Sequence, residues 1–156
     1  MRALLQRVAR AEVRVDGESV GSIGHGLLVL LAVAPSDDEL VATALAARVV
    51  GLRIFPDDGD RTNLSLVDVD GAALVVSQFT LYADCRRGRR PSFIGAAGSV
   101  QGEKLYEAFC DAVASTGVPL QRGRFGAHMD VELVNDGPFT VWLDSAELGI
   151  ESPRAG

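Results

Sequence analysis

Charged and apolar side chains alternate through Glu12-Val13-Arg14-Val15, at the end of a strand-like stretch covering residues 2–15. A period of two is the mark of a half-buried strand. Asp16-Gly17 follows, and because both residues tolerate positive φ a tight hairpin turn is predicted, with a short return strand around Ser19–Ile23. Gly24-His25-Gly26 leads into Leu27–Val33, an unbroken apolar run that reads as a fully buried strand. Ser36-Asp37-Asp38-Glu39 has capping-box spacing, with Ser36 as N-cap and Glu39 reaching back. The helix it opens extends to about Val50, with Leu40, Ala44 and Ala47 on its inner side, flanked by Val41 and Leu45. Leu52–Phe55, Asn63–Leu66 and Ala73–Ser77 are predicted strands, separated by the acidic turn Pro56–Asp60 and by Asp70-Gly71.

After Ser77–Leu81 the periodicity lapses, and Asp84 to Gly102 is irregular and rich in arginine and glycine. A loop of that length in a compact domain is usually functional. A second helix is predicted from about Glu103 to Ser115, closed by Gly117 with Pro119 beyond it. Strands near Leu120–Arg122, Val131–Val134 and Phe139–Leu143 follow, the last two joined by a turn at Asn135-Asp136-Gly137-Pro138. Residues 146–156 read as a loose tail. The expected fold is a single α/β domain spanning residues 1–156, layered sheet on sheet with helices on one face. The order of strands does not follow from the pattern.

Hydrophobic residues at 47% and charged residues at 23% of 156 belong to an ordinary globular domain. No apolar run approaches the roughly 20 residues that span a bilayer, and residues 1–15 lack the apolar core of a secretory signal, so a cytoplasmic protein is expected. Cys85 and Cys110, with no CxxC spacing, read as reduced thiols. They form no ligand set with His25 and His128, so neither a metal nor a cofactor is expected. A net charge of -6 argues against a general nucleic-acid binder. Four arginines nevertheless fall within five positions, Arg86, Arg87, Arg89 and Arg90, and such a loop can hold phosphates locally.

No GxSxG elbow, HExxH motif, P-loop or GxGxxG turn is present. Two segments stand out instead. Ser77-Gln78-Phe79-Thr80 places hydroxyls and an amide where a buried strand feeds a long loop, a common place for a site. Asn135-Asp136-Gly137-Pro138-Phe139-Thr140 is, on local chemistry alone, a plain turn. Taken together, Ser-Gln-Phe-Thr at 77–80 and the Asn-x-Gly-Pro-x-Thr pattern at 135–140 resemble the D-aminoacyl-tRNA deacylases. The resemblance includes Met1-Arg2-Ala3, Gln6-Arg7-Val8, Gly21-Ser22-Ile23-Gly24, Asn63-Leu64-Ser65, the arginine loop and Gly123-Arg124-Phe125-Gly126-Ala127. It runs in register from Met1 to about Ser145. Thr62 stands where members often have methionine, and His128 where aspartate is common.

The resemblance implies a homodimeric enzyme that hydrolyses the ester between a D-amino acid and tRNA while sparing L-aminoacyl-tRNA; if that rejection is steric, glycyl-tRNA, which has no side chain, is expected to be hydrolysed too. It implies that Ser77, Gln78, Phe79 and Thr80 line the pocket, with backbone N–H groups near Phe79 and Thr80 holding the carbonyl and the ribose 2′-OH assisting water. Thr80 as a nucleophile is disfavoured, since nothing near it in sequence would deprotonate a hydroxyl. A cis peptide at Gly137-Pro138 is implied to reach the partner's pocket and exclude L side chains. Arg7, Arg86, Arg87, Arg89, Phe125, Met129 and Asn135 are implied to contact substrate or tRNA. The alternative is a non-catalytic nucleic-acid-binding module that uses the Arg86–Arg90 loop.

Overall fold

The computed structural model describes residues 1–152. Strands β1 (Arg2–Val15), β2 (Glu18–Ile23) and β3 (Gly26–Ala32) form one long hairpin, in which β2 and β3 together pair antiparallel along a single edge of β1. Helix α1 (Glu39–Gly51), the small pair β4 (Phe55–Pro56) and β5 (Thr62–Leu64), and strand β6 (Ala72–Ser77) come next. A 3-10 turn (Phe79–Tyr82), helix α2 (Ser99–Ser115), β7 (Leu120–Arg122) and β8 (Asp130–Asp144) complete the order. β6 lies parallel to β3 and β7 parallel to β6, whereas β8 runs antiparallel along the other edge of β1.

The expected α/β class holds, but the two layers are not two separate large sheets. One six-stranded sheet supplies both. Leu5, Leu27, Val29, Leu31, Ala73 and Val75 face α1 and α2 and pack with Val41, Leu45, Phe109 and Val113. On the opposite face, Leu28, Leu74 and Val76 pack against Val8, Ala11, Val13 and Ile23, which come from the distal half of the hairpin. That half bends back over β6 and β7. The contact is close enough that a Cβ on Gly21 would lie 2.7 Å from the Arg122 carbonyl oxygen. The sheet therefore curls towards a barrel, both helices lying on its outer face.

Several boundaries depart from the sequence reading. Asp38, not Ser36, caps α1: its side chain accepts from the Val41 N–H at 3.0 Å, and an acceptor there satisfies an otherwise orphaned amide. α2 begins at Ser99, four residues before Glu103, with Gly98 as a cap that supplies no side-chain signal. β8 is one strand rather than two joined by a turn. Residues 146–152 are not a loose tail, because Leu148 and Ile150 pack against the core and the Ile150 N–H donates to Ser145 at 2.8 Å. The rest of that expected tail, residues 153–156, lies outside the described residues.

Gly21→Val should destabilise the protein by about 1–3 kcal/mol in urea unfolding, since a side chain there forces the bent layer off the β7 backbone. Ser22→Ala, at the exposed neighbour, should stay within about 0.5 kcal/mol. Equal effects would contradict the close approach of the two layers.

Candidate active site

The parallel pairing of β6 with β3 delivers Ser77 to the end of the sheet, where the Gln78 N–H donates to the Leu31 carbonyl at 2.7 Å. The chain then tightens into the 3-10 turn Phe79–Tyr82. The first N–H groups of such a turn have no acceptor within it. Those of Phe79 and Thr80 donate to no other described residue. Beside Phe79 a cavity of about 460 Å³ is walled by Ala32 at the end of β3 and Val33 just beyond it, Ser99 and Gly102 of α2, and the segment Phe125–Met129; Thr80 is not among the residues that line it. The Tyr106 hydroxyl, buried under the sheet, donates to the Val75 carbonyl at 2.9 Å, and its ring tilts against Phe125 with centroids 5.9 Å apart. That contact fixes one wall of the cavity to β6. The lining is mainly apolar with a polar strip at Ser77–Phe79, suited to a flat or apolar group carrying one carbonyl to be oriented.

No side chain at this end is equipped as a nucleophile–base pair. The Thr80 hydroxyl lies 2.5 Å from Gln78 Nε2, which donates to it, and Thr80 and Gln78 make no bond to a histidine or carboxylate. His25 lies edge-on to Phe55, 5.1 Å between ring centroids. His128 borders the cavity but is almost fully exposed, its Nε2 3.9 Å from Asp130 Oδ1. Cys110 is buried and burial pushes its thiol up to about 12, so it is not a thiolate at neutral pH. Among the described residues no group of three or more His, Cys, Asp or Glu side chains could hold a metal ion.

Gly137 and Pro138 are elsewhere in the chain and do not line this cavity. Between the pairs Gln6–Thr140 and Val8–Asn135, β1 advances two residues while β8 advances five. The three surplus residues are extruded as an exposed loop, and its Gly137–Pro138 peptide is cis. Asn135 closes the loop at its base: Nδ2 donates to the carbonyls of Arg7 and Phe139, each at 2.9 Å, and Oδ1 accepts from the Phe139 N–H at 3.2 Å. Arg7 lies beneath, its Nη1 donating to Ile54 O at 2.7 Å, its Nε to Asp136 O at 3.3 Å, and its guanidinium 4.7 Å from the Phe139 ring centroid. Gly137 has φ +134°, and a Cβ there would sit 2.9 Å from the Phe139 nitrogen. Arg7 and Asn135 thus hold the loop, whereas Phe125 and Met129 line the cavity.

The arginines occupy a third place. Asp84 and Ser92 exchange two backbone hydrogen bonds at 2.7 and 3.0 Å, pinching residues 84–92 into a closed loop. Arg86 pairs with Asp84, at 2.8 and 2.7 Å, with its side chain still exposed, and holds that carboxyl well below the usual range. Arg87, Arg89 and Arg90 are exposed and form no ion pair with a described residue. The loop's far end, Phe93, packs edge-to-face on Phe79 with centroids 5.1 Å apart, tying the arginines to the cavity mouth.

The sequence profile of the family described as D-Tyr-tRNA(Tyr) deacylase matches residues 4–144. The chain belongs to that family. A D-aminoacyl-tRNA deacylase of Thermomicrobium roseum is 58% identical over 148 residues, covering 95% of this chain and 96% of that protein. One of Deinococcus radiodurans is 56% identical over 144 residues, covering 92% and 99%. Among solved structures, a c-Myc DNA unwinding element binding protein superposes with a TM-score of 0.88 at 36% identity, covering 93% of this chain and 99% of that one. A structure described as "a probable eukaryotic D-amino acid tRNA deacylase", 20% identical with a TM-score of 0.79 over 91% and 97%, shares the deacylase fold. Sequence reasoning missed the cavity's small residues, Ala32, Val33, Ala97, Ser99 and Gly102, because residues that line a wall with backbone or a methyl group carry no chemical signature.

Proposed function

We propose that this deacylase cleaves D-aminoacyl-tRNA at the Ser77–Thr80 turn with backbone donors, and that a second copy of the chain supplies its chiral selectivity. Hydrolysis of D-aminoacyl-tRNA is the activity of the family to which the chain belongs. The observation that carries the site is the pair of unengaged N–H groups at the start of the turn, that of Phe79, which lines the cavity, and that of Thr80, which comes next in the chain just outside the lining. The ester carbonyl lies against these donors, water adds to the acyl carbon, and the bond from that carbon to the ribose oxygen breaks. Free D-amino acid and tRNA leave. An aminoacyl ester is already activated, so orientation and stabilisation of the oxyanion meet the demand without a triad. The ribose 2′-OH is the group that assists the attacking water.

Chirality is assigned to Gly137-Pro138. The loop projects from β8, an edge strand whose outer side also exposes Val134 and Trp142. Long exposed edges favour pairing with another chain. Because the loop is remote from its own cavity in the chain's topology, a homodimer in which each loop enters the partner's cavity joins the two halves. Backbone placed where an L side chain must go excludes it sterically. Arg87 and Arg89 face the tRNA phosphates, with Arg86, already paired to Asp84, at the edge of the same loop, and the enzyme works in the cytosol. A non-catalytic nucleic-acid module is the second reading, favoured by the DNA-associated name of one structural relative; absence of D-aminoacyl-tRNA hydrolysis would establish it.

Replacing the Thr80 amide by a backbone ester removes one donor and keeps the side chain. It should lower kcat by about 10²-fold or more, while Thr80→Ala stays within about tenfold of wild type. The reverse ranking in single-turnover hydrolysis of D-tyrosyl-tRNA makes Thr80 a nucleophile. Glycyl-tRNA has no side chain to exclude and should be hydrolysed, with L-alanyl-tRNA spared. A methyl group is worth only about 1–3 kcal/mol in a favourable pocket, so sharp separation of these two requires a steric block. If both are spared equally, the site selects D side chains by attraction.

A further inference from the structure

A 3-10 turn has little internal hydrogen bonding to define its pose. The Phe79–Tyr82 turn is closed by the Leu81 N–H to Gln78 at 3.1 Å and the Ala83 N–H to Thr80 at 3.0 Å. Its orientation relative to the sheet therefore depends on external anchors. One is the Gln78 N–H on Leu31 of β3, at the front of the turn. The other is at the back, where Arg2 Nη1 donates to the Leu81 carbonyl at 2.9 Å.

The guanidinium of Arg2 is itself fixed by a carboxylate and two rings. Its Nε donates to Asp144 Oδ2 at 2.8 Å, and it lies 4.3 Å from the Tyr82 ring centroid and 5.4 Å from that of Trp142. Asp144 is only 12% exposed, and Arg2 pairs in the sheet with Ala32 of β3 on one side and Asp144 of β8 on the other. A planar fork can satisfy a carboxylate and a carbonyl at once while stacking on rings; an ammonium group cannot do all three.

We infer that Arg2 is a positioning residue for the hydrolysis, holding the Phe79–Tyr82 turn so that its two free N–H groups face the ester carbonyl. This rests on the proposed role of those N–H groups. Arg2 lies behind the turn and does not line the cavity, so its contribution is to the placement of the donors and not to substrate contact. It also ties the turn to β8, the strand that carries Gly137-Pro138, through Asp144 and Trp142.

The test is steady-state hydrolysis of D-tyrosyl-tRNA by the full-length Arg2→Gly and Arg2→Lys variants, with melting curves for each. Misplaced donors should lower kcat of Arg2→Gly by about 10- to 100-fold while KM stays within about twofold. The Arg2 side chain is 31% exposed, so low-millimolar guanidinium can enter the vacated slot from solvent. It should restore much of kcat, and equal sodium chloride should not. Arg2→Lys keeps the charge beside Asp144 and should fall between wild type and glycine; it carries the test if Arg2→Gly does not fold. Unchanged kcat with a lowered melting temperature, or a raised KM with unchanged kcat, overturns the inference. The Thr80 backbone-ester protein is assayed in parallel. If that ester costs kcat and Arg2 variants do not, the clamp alone fails; if the ester costs nothing, the site reading fails.

Discussion

Everything functional in this fold is arranged along β1 and its ladder with β8. β1 is paired along nearly its whole length on both edges, to the β2–β3 arm on one side and to β8 on the other. Between Gln6 and Val8 the β8 partner carries three residues more than β1 can match, and they leave the ladder as the Gly137-Pro138 loop; a one-residue bulge of β1 at Ala9 follows. Two arginines of β1 then serve the two ends. Arg7 lies beneath the extruded loop, and Arg2, five residues earlier, lies behind the 3-10 turn. A single strand thus sets the positions of both elements that the proposed mechanism needs.

The chemistry drawn from this arrangement is economical in side chains. A threonine held by a glutamine, a histidine packed edge-on to a phenylalanine and a buried protonated thiol offer no nucleophile to attack an ester. Backbone N–H groups at a strand end need none of these, and their placement costs no reorganisation as charge develops. The charge pattern fits the same economy. The chain is acidic overall, and Arg87, Arg89 and Arg90, which form no ion pair with a described residue, share a loop pinched between Asp84 and Ser92 and joined to the cavity mouth by the Phe79–Phe93 contact.

Much of this was legible in the amino-acid order, and the failures have physical causes. The hairpin, β3, β6 and the body of both helices follow from periodicity and turn chemistry, but the inner face of α1 was misplaced: Leu40, Ala44 and Ala47 are exposed, and Val41, Ala42, Leu45, Ala46, Val49 and Val50 are buried. The layer arrangement was misread as two sheets, since a bend in a long strand leaves no mark in an alternating pattern. Asn135-Asp136-Gly137-Pro138 has every attribute of a hairpin turn, and only the register with β1 shows that β8 resumes beyond it. α2 begins early because Gly98 caps through its backbone geometry without a side chain. At the site, Ser77–Thr80 was visible as a strand end feeding a loop. The support roles of Arg7 and Asn135 were not, because they depend on bonds to residues up to 129 positions away.

The central claim is that the Gly137-Pro138 loop of one subunit confers selectivity on the cavity of the other, and a purified hybrid dimer tests it most directly. One subunit keeps the loop but has its cavity filled by Gly102→Trp, beside Phe125; the other keeps an open cavity but lacks residues 136–138. Homodimers of the first should be inactive, and homodimers of the second should hydrolyse both D- and L-alanyl-tRNA. In the hybrid, the one open cavity faces an intact loop and should cleave the D ester while sparing the L ester. Continued cleavage of L-alanyl-tRNA by the hybrid would show that the loop acts within its own subunit or not at all.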